Sequence, residues 1–244
     1  MTKREQRAIL AGMVLGDACI RKQKYGINPY IAINHSIKQL EYLRWKMSLL
    51  QPMFHYSLIG KERFYKLKKK YKVVFFASRL SPKLKTVWKI AYKNKKKIIT
   101  RKLLDMLNPL GLAIWYMDDG CCNGKARVVV LSTYCAKQEA LQCKRYFNEK
   151  WNIDWKIGKH KSGYFLRKGW KSEDMNRFRQ LIEPYIIPSM KYKILDITPA
   201  IEQTINNCRI CGYDTSNTKG GFCFKCQYQR YEIKNPSFRL SMMK

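Results

Sequence analysis

Ile9-Leu10-Ala11-Gly12-Met13-Val14-Leu15-Gly16-Asp17-Ala18 and, further along, Gly111-Leu112-Ala113-Ile114-Trp115-Tyr116-Met117-Asp118-Asp119-Gly120 share one layout: an apolar helical run that ends in an acidic residue beside a glycine. An aspartate at a helix C-terminus is electrostatically misplaced, because the helix dipole is already negative there. Ala11 and Gly12 on one run, and Gly111 and Ala113 on the other, are small enough for the two helices to pack side by side, backbone close to backbone. Their ends would then converge, and Asp17 and Asp119 would share a pocket with two negative dipole ends. Such a cluster is costly without a divalent cation, and hard oxygen ligands in a water-accessible site suit Mg²⁺ or Mn²⁺. Read singly, Gly16-Asp17 and Asp119-Gly120 are ordinary turn residues. The matching strand and helix layout after each of them favours the shared site.

The surroundings repeat as well. The first copy spans roughly 7–99 and the second 108–194. After each motif comes a hairpin-like stretch, closing on Tyr30–Asn34 and on Arg127–Ser132. A helix comes next, Lys38–Leu50 and Lys137–Trp151, the first with Leu40, Leu43, Met47 and Leu50 at helical spacing. Further strands are predicted at Val73–Ala77, and at Trp155–Lys159 with Tyr164–Leu166. Closing helices are predicted at Lys83–Ala91 and Ser172–Ile182, Ser172 being an N-cap. Each copy finishes on lysine-isoleucine, Lys97-Ile98 and Lys193-Ile194, with 93–107 as a linker. The fold class is therefore α+β: an α-β-β-α-β-β-α unit twice, as domains 1–100 and 101–199, with 200–244 outside the repeat.

At these residues the chain resembles the LAGLIDADG homing endonucleases, specifically the single-chain members that carry two motif copies in one pseudo-symmetric monomer. Leu10–Ala18 and Leu112–Gly120 follow the nine-residue motif with Asp17 and Asp119 at its eighth position, across about four-fifths of the chain. The departures at Met13, Val14, Leu15, Gly16 and Ala18, and at Ile114, Trp115, Tyr116, Met117 and Asp118, fall at tolerant positions. The resemblance implies saddle-shaped antiparallel sheets around a two-helix interface, lying along the DNA major groove. It implies site-specific double-strand cleavage with short 3′ overhangs, in the service of intron mobility. Asp17 and Asp119 would bind the divalent metal, with backbone carbonyls such as that of Gly16 contributing. Asp118 is either an extra acidic ligand or an exposed helix-end residue. A basic residue near each scissile phosphate would be Lys96 or Lys97 in the first copy and Lys193 in the second.

Lys+Arg number 49 against 17 Asp+Glu, a net charge of +32, far more than solubility requires and apt for a polyanionic partner. The basic residues are spread along the chain and interleaved with aromatics, as in strands with one basic and one buried face. Candidate DNA contacts are Arg21, Lys22, Gln23, Lys24 and Asn34 in the first hairpin, Lys68 and Lys70 in the lysine-rich run, and Lys125, Arg127, Lys159, Lys161 and Arg167 in the second copy. No stretch approaches the ~20 apolar residues of a spanning helix, and Met1–Gln6 lacks a signal-peptide core. These features lead us to expect an intracellular protein of an organelle (chloroplast or mitochondrion), a phage-infected cell or the bacterial cytoplasm. The resemblance implies a monomer whose partner is double-stranded DNA with a long asymmetric target site. The alternative is an RNA maturase that assists splicing of its host intron, with intron RNA as partner. Both Asp17 and Asp119 argue for cleavage, since a pure RNA binder needs no carboxylate pair beside a polyanion.

Nine cysteines divide into five scattered residues and four late ones, Cys208, Cys211, Cys223 and Cys226. Two Cys-x-x-Cys knuckles at this separation read as a structural, tetrahedral Zn²⁺ site of the ribbon kind, in preference to redox pairs or disulfides. A segment this short and poor in apolar residues needs its metal to fold. Nearby Lys219, Lys225, Arg230, Lys234 and Arg239 suit either an accessory DNA contact or a structural clip.

Overall fold

The computed structural model describes residues 1–23, 26–54, 63–67, 71–123 and 127–194. The chain divides into two compact units, Met1–Thr198 and Pro199–Lys244. The four late cysteines, with Lys24, Lys68, Lys70 and Lys125, lie outside the described residues.

In chain order the first copy runs α1 (Lys3–Leu15), β1 (Cys19–Lys22), β2 (Pro29–Ser36), α2 (Leu40–Phe54), β3 (Arg63–Leu67), β4 (Tyr71–Ala77) and α3 (Lys85–Ala91). A connection follows, made of β5 (Tyr92–Lys93), β6 (Lys96–Lys97) and α4 (Arg101–Leu104). The second copy runs α5 (Pro109–Asp119), β7 (Gly120–Asn123), β8 (Val128–Cys135), α6 (Lys137–Trp151), β9 (Lys156–His160), β10 (Gly163–Gly169) and α7 (Glu173–Ile182). The expected α-β-β-α-β-β-α order is present twice. Each copy builds a four-stranded antiparallel sheet with equivalent strand order, β1-β2-β4-β3 and β7-β8-β10-β9.

The helix starts follow from their caps. Thr2 and Glu5 form a capping box on α1. Asn108 accepts the Gly111 N–H at 2.8 Å with Pro109 at the first helical position of α5, and Ser172 caps α7 as its sequence suggests. The helix α1 ends at Leu15, earlier than the apolar run implies, so Asp17 stands just beyond the helix while Asp119 is the last residue of α5.

The two motif helices pack against each other at the centre of the core. A methyl group on Gly12 would overlap the carbonyl oxygen of Gly111, and one on Gly111 would overlap that of Ala8. The backbones touch because these residues have no side chain, as Ala11-Gly12 and Gly111 suggested. Around this seam the fully buried Trp115, Tyr116, Phe147, Trp155 and Phe178 form an aromatic cluster under the second sheet.

The buried face of α2 is Tyr42, Leu43, Lys46, Leu50 and Met53, and Leu40 and Met47 pack partly buried against the same core, so the expected apolar stripe is present with a lysine inside it. The 93–107 segment is ordered structure: Glu139 of α6 accepts the Ile99 N–H at 2.7 Å, and Gln142 donates to the Ile99 carbonyl at 2.8 Å. Helix α4 adds the buried Leu103 and Leu104.

Candidate active site

The ends of α1 and α5 open into a cleft of about 470 Å³ whose lining includes Gly16, Asp17, Lys97, Asp119, Thr133 and Glu139. Asp17 and Asp119, nominated from separate motifs, are thus brought together. Both carboxyls titrate above the ordinary aspartate range. For Asp119 the main cause is lost hydration, then the charges of Asp17 and Asp118, which lift it to about 7. The indole of Trp115 donates to its carboxylate at 3.3 Å, a modest counterweight. For Asp17 the causes are the same in kind: lost hydration first, Asp118 second. Two acids that resist ionising together are a place where a cation would be welcome.

The lysines fall into an equivalent pair. Lys97 donates to the Gly16 carbonyl at 2.7 Å, and Lys193, at the end of the 3₁₀ segment Pro188–Lys193, donates to the Asp118 carbonyl at 2.8 Å. Gly16 and Asp118 both occupy the seventh motif position, so each lysine holds the carbonyl just before a candidate metal-binding aspartate. Desolvation lowers both ammonium groups below the usual lysine range, and the three aspartates oppose that shift.

Hairpin geometry separates Lys97 from its neighbours. Asn94 and Lys95 both have positive φ, 50° and 62°, so β5 and β6 are joined by a two-residue turn of the primed type. That register sets Lys97 opposite Tyr92. Cross-strand partners share a face, and Tyr92 faces the first sheet, where its hydroxyl accepts the Ile20 N–H at 2.8 Å. Lys97 therefore points toward the motif, and Lys96, one residue earlier, points away from it.

Asp118 does not have the exposed helix-end position that was one of its two readings. Its side chain is fully buried and paired with Lys46, itself fully buried, at 2.5 Å. Its second oxygen accepts the Asp17 N–H at 3.0 Å. His35 lies beside this pair, Nε2 at 3.1 Å from the Lys46 ammonium and Nδ1 at 3.6 Å from Asp17. Burial, then the Lys46 charge, pushes the His35 imidazole down to about 4, so the ring is neutral at physiological pH. Gly16 must be glycine, because a methyl there would overlap the Asp118 carboxylate.

Lys46 and His35 escaped the sequence reading, although each leaves a signal. His35 continues the buried parity of Ile31 and Ile33 in β2, and Lys46 shares a helix face with Leu43 and Leu50. A polar residue on an apolar face is the mark of a buried network.

Away from the cleft, Arg21, Lys22, Gln23, Asn34, Arg127, Lys159, Lys161 and Arg167 are all exposed. On the sheet surfaces turned from the helices, Arg21 pairs with Tyr30 in one copy, and Arg167 pairs with Val130 and Lys156 in the other. Lys156, exposed and on this surface, was not singled out from the sequence. Alternation places Lys159 on the opposite face of β9. No helix among the described residues is long and apolar enough to cross a membrane.

Residues 7–178 match the LAGLIDADG DNA endonuclease family. The chain belongs to that family. Among curated relatives, the cytochrome b mRNA maturase bI2 of Saccharomyces cerevisiae is 31% identical over 199 residues, covering 77% of this chain and 46% of the maturase. A probable intron-encoded DNA endonuclease 3 of Mycosarcoma maydis is 32% identical over 114 residues, 44% of this chain and 82% of that protein. Among solved structures, the homing endonuclease I-WcaI bound to its DNA recognition sequence superposes with a TM-score of 0.71 at 25% identity, over 79% of this chain and 87% of that one. The chain spans about half the length of several curated relatives it matches.

Proposed function

We propose that the protein is a monomeric homing endonuclease that hydrolyses one phosphodiester on each strand of a long asymmetric DNA site, leaving short 3′ overhangs. The observation that carries this reading is the duplicated set at the ends of α1 and α5: an aspartate, the carbonyl before it, and a lysine on that carbonyl. Asp17 and Asp119, with the carbonyls of Gly16 and Asp118, offer hard oxygen donors, and the nearby lysine charges only partly offset the burial and mutual repulsion that raise the two acids. That donor set fits Mg²⁺ or Mn²⁺. A divalent cation bound there would activate water and steady the leaving oxygen.

The chain's own residues do the rest. Lys97 and Lys193 orient the two carbonyls and place positive charge where the phosphorane develops. The exposed basic residues of the sheets hold the duplex, mostly by its phosphates, which position without specifying. Lys193→Ala should therefore slow cleavage about 10²-fold while the dissociation constant changes less than threefold, since one charge among many adds little affinity but a placed one acts on the transition state. Cleavage kinetics and gel shifts measure the two, and equal losses in both would reduce Lys193 to a phosphate clamp.

The substrate is found by incubating the protein and Mg²⁺ with a plasmid library of randomised duplex and recovering linearised members. A second reading, an RNA maturase, is favoured by the similarity to the yeast mRNA maturase. It prevails if no library member is cut and the protein instead binds structured intron RNA tightly and competitively against duplex DNA.

The four late cysteines are proposed to hold one structural Zn²⁺. Metal analysis of purified protein should give one zinc per chain, lost in Cys208→Ser and Cys223→Ser while the Met1–Thr198 unit keeps its melting transition. A zinc-free chain with disulfides among these cysteines would end that assignment.

A further inference from the structure

The two halves of the cleft share lysine-carbonyl pairs but differ beneath them. Asp17 has its backbone N–H tied to the buried Asp118 carboxylate, which Lys46 neutralises while resting over the Tyr42 ring with its ammonium 4.4 Å from the centroid. Tyr42 is in turn fixed by donating to the Ile114 carbonyl of α5 at 3.1 Å. His35 closes the arrangement between Lys46 and the Asp17 side chain.

Among the described residues, no equivalent arrangement serves Asp119. Aligned by strand register from the motif, Cys19 with Ala32 and Cys121 with Val130, His35 corresponds to Thr133. Aligned along the two 15-residue helices α2 and α6, Lys46 corresponds to the buried Cys143. Asp118 itself corresponds to Gly16. The hydroxyl of Thr133 is directed elsewhere, donating to the Tyr164 carbonyl at 2.8 Å. Asp119 is held by being part of α5 and by the Trp115 indole.

Resting on the endonuclease reading above, we infer that the Lys46–Asp118 pair, with His35, is a positioning unit for Asp17 alone, so that its loss impairs the cut of one DNA strand and leaves the other. Asp17 needs such a support because α1 stops at Leu15, two residues short of it, whereas α5 carries Asp119 in its own last turn. The unit joins the copies: Lys46 and His35 come from the first and Asp118 from the second, so the first copy's aspartate is set by the second copy's motif. Lys46 and Asp118 act through the Asp17 backbone, whose N–H the Asp118 carboxylate accepts.

The test compares wild type with Lys46→Met, which takes away the charge that holds the Asp118 carboxylate in place, and with Lys46→Gln, which preserves a donor to Asp118. Single-turnover cleavage is followed on a selected duplex labelled on each strand. Lys46→Met should accumulate a nicked intermediate, with one strand slowed at least tenfold, always the same strand, and the other within threefold of wild type; Lys46→Gln should recover most of the lost rate. A second, metal-free and DNA-free readout is amide hydrogen exchange by NMR: the Asp17 N–H should exchange at least tenfold faster in Lys46→Met, with Asp119 unchanged. Equal slowing of both strands, or unchanged strand rates and unchanged Asp17 exchange in a folded variant, overturns the inference. If wild type cuts no duplex, the endonuclease reading has failed. The exchange measurement then decides whether the pair positions Asp17 at all, and an unchanged Asp17 rate rejects it.

Discussion

Asp119→Asn is expected to lose double-strand cleavage by on the order of 10³-fold or more while binding its duplex as tightly as wild type in Ca²⁺, and Asp17→Asn is expected to do the same. An amide of the same shape removes the anionic ligand from the cleft but keeps the packing around Trp115, and binding need not suffer because a negative charge facing two phosphate backbones is gone. Retained cutting by both variants would place the active site elsewhere.

The same substitution has a stability signature with a definite sign. Folded Asp119 holds its proton up to about pH 7, whereas the unfolded chain releases it near the ordinary aspartate value of 3.8. Between those values the folded state binds more protons, so the native state loses stability as pH rises through that window, by at most about 4 kcal/mol above pH 7. Metal-free Asp119→Asn should therefore melt above wild type at pH 8, with the gap closing as the pH falls toward 4. Mg²⁺ should raise the wild-type melting temperature and leave the variant nearly unmoved. Calorimetry at four pH values checks this, and a gap that does not depend on pH would remove Asp119 as its source.

Gly12→Ala is expected to be as damaging to the fold as Asp119→Asn is to the chemistry. The added methyl falls on the Gly111 carbonyl, which is backbone, so no rotamer change relieves it. The helices α1 and α5 must separate along the seam on which both sheets and the cleft depend. Ordinary overpacking costs about 1–3 kcal/mol, and a backbone-to-backbone overlap at the centre of the core exceeds that range, costing about 4 kcal/mol or more. Since 1 kcal/mol shifts the melting temperature by roughly 2–4 °C in a domain of this size, a loss of about 8–16 °C or outright failure to fold is the expected result. A melting point within 3 °C of wild type would mean that the helices do not meet at Gly12.

What the amino-acid order determines alone is what depends on local periodicity and on repetition. Apolar runs that end at Asp17 and Asp119, small residues at Gly12 and Gly111, and the matching order of helices and strands are all visible because each is written contiguously and written twice. Lysine-isoleucine at the end of each copy belongs to the same class. Equivalence under the repeat nominates Lys193, whereas three consecutive lysines leave its partner open. Only the primed turn at Asn94-Lys95 and its register decide that Lys97 is the one that faces Gly16.

The tertiary structure alone decides the rest, because it concerns groups that meet across long chain separations without a shared local pattern. Lys46 looks like a surface lysine of an amphipathic helix until the packing of α2 puts it against Asp118 of the other copy. Asp118 looks like a second copy of Asp119 until its side chain is seen filling the space that Gly16 leaves empty. A charge can be buried only where a partner waits for it, and that partner is supplied by the packing of two helices, which no single stretch of sequence contains.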